Sequence, residues 1–382
     1  MKRSTDRILV THTGSLPRPA ELGAVFRGTV ELDDAERAEL VKASVAQTVR
    51  HQADLGVDVL NDGEMGKESY STYVRERLSG FTGEREAALV MTDMADYPDY
   101  LNRWSTLHRE ELGKVLGPPA CVGDIKLTDP TAVQTDIENL RAGLQGINAE
   151  DVFLSAASPG VIGAFFANHH YPDREAYLGA IGEAMRAEYE AIVDAGFILQ
   201  LDCPDLAMCR HLQFGDLSTE EFREQAQLAI AVLNHATANI DPDSMRLHLC
   251  WGNYEGPHHH DINLSDIVDV VLSARPNGIV LESANPRHDH EWRVFENVKL
   301  PDGKVLMPGV VDSTSNYIEH PELVAQRLVR LAELVGPENV MAATDCGFAT
   351  GALMADVDPA IAWAKFESMA EGARLATERL YR

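Results

Sequence analysis

The chain is poor in positive charge and has no long apolar run. It carries 33 Lys and Arg against 60 Asp and Glu, which makes the formal net charge −27. Nucleic acids and anionic membrane surfaces are bound through clusters of Lys and Arg, so we expect neither as a partner. No apolar stretch approaches the length of a membrane span. The first residues, MKRSTDRILVTHTGS, lack the pattern of a signal peptide, and a cytoplasmic protein is expected.

Cysteine is also scarce, and its distribution excludes one class of fold. The five cysteines are odd in number and irregularly spaced, which does not suit a disulfide framework. Reduced thiols used for metal binding or catalysis fit this pattern better. The five are Cys121, Cys203, Cys209, Cys250 and Cys346.

Short β-like apolar runs alternate with longer helical stretches from end to end. A chain of 382 residues can form one large barrel or two modest domains. Eight runs in series predict an α/β fold of one parallel (β/α)8 barrel over residues 1–382. A polar stretch at about 82–144 is interpreted as an insertion after strand 2, with a hairpin near Cys121–Ile125. The eight runs are Ile8–Val10, Val57–Leu60, Val152–Ala156, Phe197–Leu201, Leu247–Cys250, Gly278–Leu281, Val310–Val311 and Val340–Ala343.

Each of these runs ends in polar residues, which a purely structural core strand does not require. In a (β/α)8 barrel the C-terminal ends of the strands surround the active site. We therefore expect these ends to meet at one face. They are His12–Ser15, Asp62–Glu64, Ser158–Gly160, Asp202–Pro204, His248 with Cys250, Glu282 with Ser283, Asp312–Ser315 and Asp345–Gly347.

Three of the strand ends carry ligands that suit a single zinc ion. His248 and Cys250 are two residues apart, so they point to the same side of a strand. Glu282 and Cys346 end two later strands. A lone buried Cys or His is more often a core residue, but one imidazole, two thiolates and one carboxylate together complete a tetrahedral zinc shell.

Weaker candidates are a histidine run, two further cysteines and several aromatic residues. His258–His260 are adjacent, and neighbouring side chains do not easily chelate one ion, so a solvent-exposed or substrate-side loop is expected. Cys203 and Cys209 are alternative ligands. The aromatic residues near strand ends either stack on a substrate or pack in the core. They are Trp251, Tyr254, Phe165 and Phe166.

The charge of the ligand set predicts the chemistry. Two thiolates and a carboxylate outweigh the charge of Zn²⁺, which makes the ion a poor generator of hydroxide. A thiol bound to a metal is deprotonated, and the thiolate is the nucleophilic form. Attack by a substrate sulfur on an electrophilic carbon is therefore expected. Hydrolysis, with Glu64 or Asp202 as general base, stays open.

The motifs resemble those of a known family. HTGSLPRP, DVLNDGE, GDIKLTDP, LQLDCPD, HLC, LES, GVVDSTS and TDCG occur in the order seen in the catalytic half of cobalamin-independent methionine synthase, over nearly the whole chain. The resemblance implies a TIM barrel of the methionine synthase/uroporphyrinogen decarboxylase type. It also implies a transferase that moves a methyl group from a methyltetrahydrofolate to homocysteine sulfur on Zn²⁺. A related branch opens epoxides with coenzyme M.

The resemblance also implies roles for individual residues. The zinc ligands would be His248, Cys250, Glu282 and Cys346. Thr13, Gly14 and Ser15 would hold the carboxylate of the amino acid, and Glu64 and Asp202 would face its ammonium group. Asp312 would be the acid of the proton-delivery pair.

Three departures from the family concern the folate donor and leave the zinc–thiolate half intact. The chain lacks the duplicated N-terminal half of the long enzymes. Ser313 follows Asp312 where the family has the His that helps to protonate the departing folate nitrogen. Cys203 follows Asp202 where a second acid is expected.

The leading hypothesis is a zinc-dependent thiol alkyltransferase whose acceptor is homocysteine or a similar amino-thiol. Its electrophile stays open among a short methyl-folate, methylcobalamin on a partner protein, an epoxide and a methylated metabolite. A coenzyme M transferase is one alternative and would need Arg or Lys near the metal. A zinc hydrolase or lyase and a non-catalytic carrier are others, and the sequence neither requires nor forbids a homo-oligomer. The cations just beyond strand ends are Arg18, Lys67, Arg210 and Arg287.

Overall fold

The centre of the protein is a parallel β-sheet. The computed structural model describes residues 1–84, 91–107, 119–351 and 356–381. Its main sheet has seven strands in the order β1-β4-β5-β6-β7-β8-β9. The strands are nearly continuous apolar runs because both faces of the sheet are covered. They are β1 (Val59–Leu60), β4 (Asp151–Ala157), β5 (Ile198–Asp202), β6 (Met245–Leu249), β7 (Gly278–Leu281), β8 (Val305–Val311) and β9 (Ala343–Thr344).

The first predicted strand joins the two edges of this sheet. Val10 pairs in parallel with Ala342, and its carbonyl accepts a hydrogen bond from the N–H of Val59 at 3.1 Å. The N–H of Thr11 donates to the carbonyl of Ala342 at 2.8 Å. Because this segment bonds to β1 on one side and to Ala342, the residue before β9, on the other, the ring is closed, and the predicted (β/α)8 barrel is confirmed.

Helices follow the strands, and local sequence signals determine where several of them begin. Asp33 and Ser218 each accept the backbone N–H three residues later, and Glu36 and Glu221 complete the two capping boxes. The helices are α1 (Ala20–Arg27), α2 (Asp34–Asp54), α3 (Thr92–Ala95), α4 (Pro98–Leu107), α5 (Thr131–Gly143), α6 (Pro159–Phe165), α7 (Arg174–Asp194), α8 (Cys209–Leu212), α9 (Thr219–Ala236), α10 (Leu264–Leu272), α11 (Pro321–Val335) and α12 (Pro359–Leu380). Of the helices in the described ranges, none combines the length and apolar character needed to cross a membrane.

The stretch interpreted as an insertion contains an antiparallel pair of segments distant in sequence. Strand β2 (Gly83–Glu84) pairs with β3 (Pro119–Ala120), and Leu78 pairs with Leu127 in the same sense. The segment around Cys121–Ile125 therefore packs against residues 77–84 and, at Cys121, pairs in parallel with Asn168, so the described residues form no local hairpin there. Residues 85–90 and 108–118, within the predicted insertion, lie outside the described residues. The assignment of residues 1–382 to one domain, with an insertion at about 82–144, stays a prediction.

Candidate metal centre and substrate cleft

A cleft opens at the C-terminal ends of the strands, where the sequence predicts the active site. It holds about 890 Å³ of space, counting the open solvent at its mouth. Its polar lining comes from the strand ends and its apolar lining from the loops that follow them. The residues that line it and bear on the chemistry below are Thr13, Ser15, Glu64, Tyr70, Met91, Trp104, Phe165, Asp202, Met208, His248, Cys250, Asn253, Tyr254 and Cys346.

Three predicted ligands meet in this cleft. The ligand atoms of His248, Cys250 and Cys346 all lie within 4.8 Å of one another, and the three residues are buried. The two Sγ atoms are 3.8 Å apart. Two sulfurs bound tetrahedrally at about 2.3 Å from one zinc ion would be separated by about 3.8 Å. Nε2 of His248 is buried and has no hydrogen-bond partner in the described part of the chain, as expected of a nitrogen reserved for a metal. This donor set fits zinc.

The ring of His248 is oriented from behind by a carboxylate. Its Nδ1 lies 3.2 Å from Oδ1 of Asp202, which is the last residue of β5. A proton on Nδ1 leaves the lone pair on Nε2, and this is the usual arrangement of a metal-binding histidine and its supporting acid. Asp202 therefore determines which nitrogen of His248 serves the site.

Glu282 lies beside the three ligands but outside their cluster. Its Oε1 accepts the N–H of Trp251 at 2.7 Å, and its Oε2 accepts Nδ2 of Asn285 at 2.8 Å. Burial and the nearby negative charge of Cys250 raise the pKa of Glu282 well above its usual value. Asp345 accepts the N–H groups of Ser283, Ala284 and Asn285 at 2.7–2.8 Å and so anchors the segment that follows Glu282.

Glu64 is held in an uncommon backbone conformation, with φ at 58°. Strain of this kind is often stored at functional sites. Its Oε1 accepts the hydroxyl of Ser155 at 2.7 Å, whereas its buried Oε2 has no partner among the described residues. Burial, and then the charge of Asp202, raise the pKa of Glu64 to about 7.

The loop formed by Thr13, Gly14 and Ser15 lies against Glu64. Gly14 has φ at 132°, and a Cβ at this position would lie 2.8 Å from Oε1 of Glu64 and 2.9 Å from Oγ of Ser155. Thr13 is tied to β9 through its hydroxyl, which donates to the carbonyl of Thr344 at 3.0 Å. Glycine is required at position 14 because the backbone passes so close to the carboxylate.

Asp312 and Ser313, which stand at the positions of the family's proton-delivery pair, follow β8 and form hydrogen bonds with neighbouring loop residues. Oδ1 of Asp312 accepts both the N–H and the hydroxyl of Thr314 at 2.9 Å, and Asp312 is not among the described residues that line the cleft. The hydroxyl of Ser313 donates to Oδ1 of Asn253 at 2.7 Å and accepts the N–H of Cys346 at 3.1 Å. Ser313 therefore supports the loop that carries a ligand.

The comparisons with known proteins agree with the resemblance in the sequence. The model of the family described as "Cobalamin-independent synthase, Catalytic domain" matches residues 116–365. The chain belongs to this family. Membership makes it a methyltransferase, in agreement with the prediction from the motifs.

Several relatives of the cobalamin-independent synthase family match nearly the whole chain. The methionine synthase of Thermococcus kodakarensis is 22% identical, covering 97% of this chain and 93% of that protein. The methionine synthase of Pyrococcus horikoshii is 24% identical, with the same coverage of 97% and 93%. The fold is similar to that of a B12-independent methionine synthase from Shewanella sp. W3-18-1 solved with selenomethionine. The TM-score is 0.74 and the sequence identity is 18%, and the alignment covers 98% of this chain and 99% of that chain.

Two residues that were not predicted from the sequence connect the site to the barrel interior. Nε2 of Gln200 donates to Oδ1 of Asp202 at 2.8 Å and to the carbonyl of Thr13, and Oε1 of Gln200 accepts Nε of Arg246 at 2.8 Å. Arg246 is completely buried, and burial lowers its pKa to about 9. Their spacing could have identified them from the sequence. Gln200 precedes Asp202, and Arg246 precedes His248, by two positions on the same face of a strand.

The weaker candidates divide between the cleft and the core of the protein. Tyr254 and Phe165 line the cleft, whereas Trp251 and Phe166 are completely buried. Cys203 and Cys209 are buried and do not join the described metal-binding groups. None of the five cysteines, all in described ranges, forms a disulfide.

Proposed function

We propose that the protein is a zinc-dependent methyltransferase that methylates the sulfur of homocysteine or a closely similar amino-thiol. One observation carries the proposal. A buried His248–Cys250–Cys346 group and the unpaired carboxylate oxygen of Glu64 line the same cleft. A zinc ion supplies activation of the acceptor, because a thiol that binds it is held as the thiolate.

His248, Cys250, Cys346 and Glu282 would hold the ion. The first three meet already, and Glu282 adjoins them through its hydrogen bond to the N–H of Trp251, the residue next to Cys250. The tetrahedral preference of zinc and its affinity for imidazole and thiolate support this assignment.

The remaining polar groups would bind the amino-acid end of the acceptor. Glu64 and Asp202 would receive the ammonium group, since a cation between two carboxylates makes strong charge-assisted hydrogen bonds. Thr13, Gly14 and Ser15 would hold the carboxylate. Asp202 would serve the ammonium group and His248 at once, because its Oδ1 already faces the imidazole.

A coenzyme M-type acceptor has less support. Its sulfonate would require a cation in the cleft, and none of the described lining residues is Lys or Arg. Arg18 donates to the carbonyls of Ala349 and Lys67, and Nζ of Lys67 donates to the carbonyl of Ser155. Arg210 and Arg287 are also not among the described lining residues. A zinc hydrolase would be the second alternative, with Glu64 as its general base.

The remaining assignments follow the same hypothesis. The partners would be a small thiol and a methyl donor, and reduced thiols are typical of the cytoplasm. The whole chain would act as one barrel domain.

The test is cobalt substitution followed by thiol titration. The charge-transfer and d–d bands should change with homocysteine and not with coenzyme M or glutathione. Replacement of Cys346 by Ser should remove most bound metal, while Cys121→Ser, a buried cysteine remote from the cleft, should leave the metal content unchanged. Full metal content in the Cys346 variant would refute the ligand assignment. Turnover without any thiol would favour the hydrolase.

A further inference from the structure

The cleft has aromatic and acidic walls. Tyr70, Trp104, Phe165 and Tyr254 line it together with the carboxylates of Glu64 and Asp202, and none of the described lining residues is Lys or Arg. Lys67 and Arg246 act on these carboxylates from behind the lining. Aromatic faces bind sulfonium and quaternary ammonium groups through cation–π attraction, most strongly when water is excluded. We infer that the methyl donor is an onium compound, a sulfonium or quaternary ammonium ion. This inference rests on the proposed function.

The aromatic side chains are held in place before any ligand arrives. The rings of Tyr70 and Phe165 pack edge to face with their centroids 6.1 Å apart. The hydroxyl of Tyr254 donates to Oδ2 of Asp93 at 2.6 Å, and its ring stacks on His258 at 4.1 Å. Rings that are already oriented lose little conformational entropy on binding, which favours a selective site.

The residues that follow β8 also suit a methyl donor whose leaving group needs no proton. A folate nitrogen that loses its methyl group becomes strongly basic and has to be protonated as it departs. Here Ser313 stands at the position of the family's proton-delivering His, and its hydroxyl is used by Asn253 and Cys346. Asp312 is turned toward Thr314. Neither Asp312 nor Ser313 is among the described residues that line the cleft.

Methyl transfer from an onium donor is a balanced step that needs no acid catalyst. The thiolate sulfur of the acceptor forms a bond to the methyl carbon with its lone pair. The bond from that carbon to the positive sulfur or nitrogen breaks, and its electron pair stays on the donor, which leaves as a neutral thioether or tertiary amine. No proton is transferred and no redox partner is needed. Because the step cancels opposite charges, apolar walls favour it over a step that creates charge.

Binding tests this inference without relying on turnover. Choline and its uncharged isostere 3,3-dimethylbutan-1-ol should be titrated against the zinc-loaded protein by calorimetry. We expect at least a tenfold preference for choline, and its loss in Trp104→Leu. Trp292→Leu is the matched control, because Trp292 is remote from the described lining of the cleft and packs with Arg330. Equal affinity for the two compounds would overturn the inference.

Turnover separates this inference from the proposed function. With homocysteine as acceptor, trimethylsulfonium and S-methylmethionine should give methionine, whereas 5-methyltetrahydrofolate should not. Methionine from the folate alone would refute the onium donor and leave the proposed methyltransferase standing. A cobalt spectrum that no thiol perturbs would refute the proposed function itself.

A second group of ligand atoms lies between α3 and the loop after β6. Nε2 of His259 and Nε2 of His260 lie 2.9 and 3.0 Å from the same oxygen, Oδ2 of Asp96. All three ligand atoms are within 4.8 Å of one another. The same two segments supply Met91 and Tyr254 to the cleft.

The adjacent histidines converge because their loop is not extended. His258 has φ at 51°, so the chain turns sharply there. The rings of His259 and His260 then lie 4.1 Å apart between centroids, where a strand would have directed them to opposite sides. His259 and His260 are exposed, as expected of a solvent-exposed loop, and both rings face the same carboxylate oxygen.

The geometry points to a second metal site, formed by Asp96, His259 and His260, for a divalent ion that prefers imidazole, such as Zn²⁺ or Ni²⁺. The hydroxyl of Thr92 lies 3.2 Å from Nδ1 of His260 and directs Nε2 toward the site. An ion here would join α3 to the loop that carries Tyr254, and so would hold two walls of the cleft together.

Calorimetric titration of zinc-loaded protein with Ni²⁺ tests this site. We expect one additional equivalent with a Kd below about 10 µM, and its loss in His260→Gln. His170→Gln is the matched control, because His170 is exposed and pairs with Asp124 without a second imidazole. Binding only at millimolar Ni²⁺, or unchanged binding in His260→Gln, would refute the site.

Discussion

The imidazole of His248 and the carboxylate of Asp202 form a pair across two neighbouring strands. Nδ1 and Oδ1 are 3.2 Å apart, and the two residues are partners in the register of β5 and β6. The rigidity of the sheet therefore positions the acid that orients the ligand. The same carboxylate accepts Nε2 of Gln200, which prevents it from turning away.

Removal of this acid should weaken metal binding without removing a ligand. We expect Asp202→Ala to lower zinc affinity about 10- to 100-fold, the usual effect of losing a supporting carboxylate. Competition with a chromogenic chelator measures the affinity. Asp205→Ala is the control, because Asp205 is also buried just after β5 but pairs with Ser158. Equal losses in the two variants would contradict the role given to Asp202.

Acceptor binding should depend on pH through Glu64. Its pKa of about 7 in the free protein means that the carboxylate becomes neutral as pH falls below that value, and attraction for an ammonium group is lost. We expect the Kd of homocysteine to increase between pH 8 and pH 6. In Glu64→Gln the Kd should be raised at least tenfold and this part of the pH dependence should disappear. Parallel pH profiles would show that another group is responsible.

The same shift predicts an opposite effect on stability. The pKa of Glu64 in the folded state, about 7, lies above its usual value of 4.5. Its contribution to stability is therefore fully present below pH 4.5 and is lost as pH rises through 7. Glu64→Gln, which imitates the protonated acid, should stabilise the protein by about 2 to 3 kcal/mol at pH 8 and have little effect at pH 5. Urea unfolding of the metal-free protein at both pH values measures this difference, and a loss of stability at pH 8 would argue against it.

Arg246 should be essential for the barrel interior. Its guanidinium donates to Oε1 of Gln200, to the hydroxyl of Thr11 and to the carbonyl of His12, and it lies 3.3 Å from the ring centre of Phe153. Arg246→Met would leave three buried acceptors unpaired and should cost about 3 to 5 kcal/mol of folding free energy. Arg374→Met, an exposed arginine in surface ion pairs, should cost less than about 1 kcal/mol. Urea denaturation compares them, and similar costs would show that the interior network is dispensable.

An added methyl group should have a larger effect at Gly14 than at Gly28, another glycine with positive φ. Gly28 has φ at 72° and nothing within 4 Å of an added Cβ, so Gly28→Ala should cost about 1 kcal/mol and leave thiol affinity unchanged. Gly14→Ala adds a contact of 2.8 Å with Oε1 of Glu64 and should lower both stability and homocysteine affinity. Thermal unfolding measures the loss of stability, and thiol titration measures the loss of homocysteine affinity. Unchanged thiol affinity in Gly14→Ala would remove the loop from the acceptor site.

The secondary structure was largely predictable from local pattern. The strand predicted at Gly278–Leu281 has those bounds. The strand predicted at Val310–Val311 is longer, because β8 includes Pro308 and Gly309. These two residues usually interrupt strands, and here the neighbouring strands β7 and β9 support them. Local preference was overridden by the sheet.

The candidate site was likewise predictable from the sequence only in part. Alternation along β6 was enough to place His248 and Cys250 on one side, and the order of the strands was enough to bring Cys346 toward them. Alternation could not show that both oxygens of Glu282 would be occupied by Trp251 and Asn285. Those hydrogen bonds join residues that follow different strands, so they depend on how the loops are folded.

The sequence alone therefore determined the barrel, the face on which the chemistry lies and the residue types that meet there. Periodicity and the parallel order of the strands are local properties, and they carry that information. Only the tertiary structure decided that Asp202 orients His248, that Asp312 turns toward Thr314, and that His259 and His260 converge on Asp96. Each of these relationships is a distance between atoms on separate segments, which depends on strand register and loop conformation rather than on spacing along the chain.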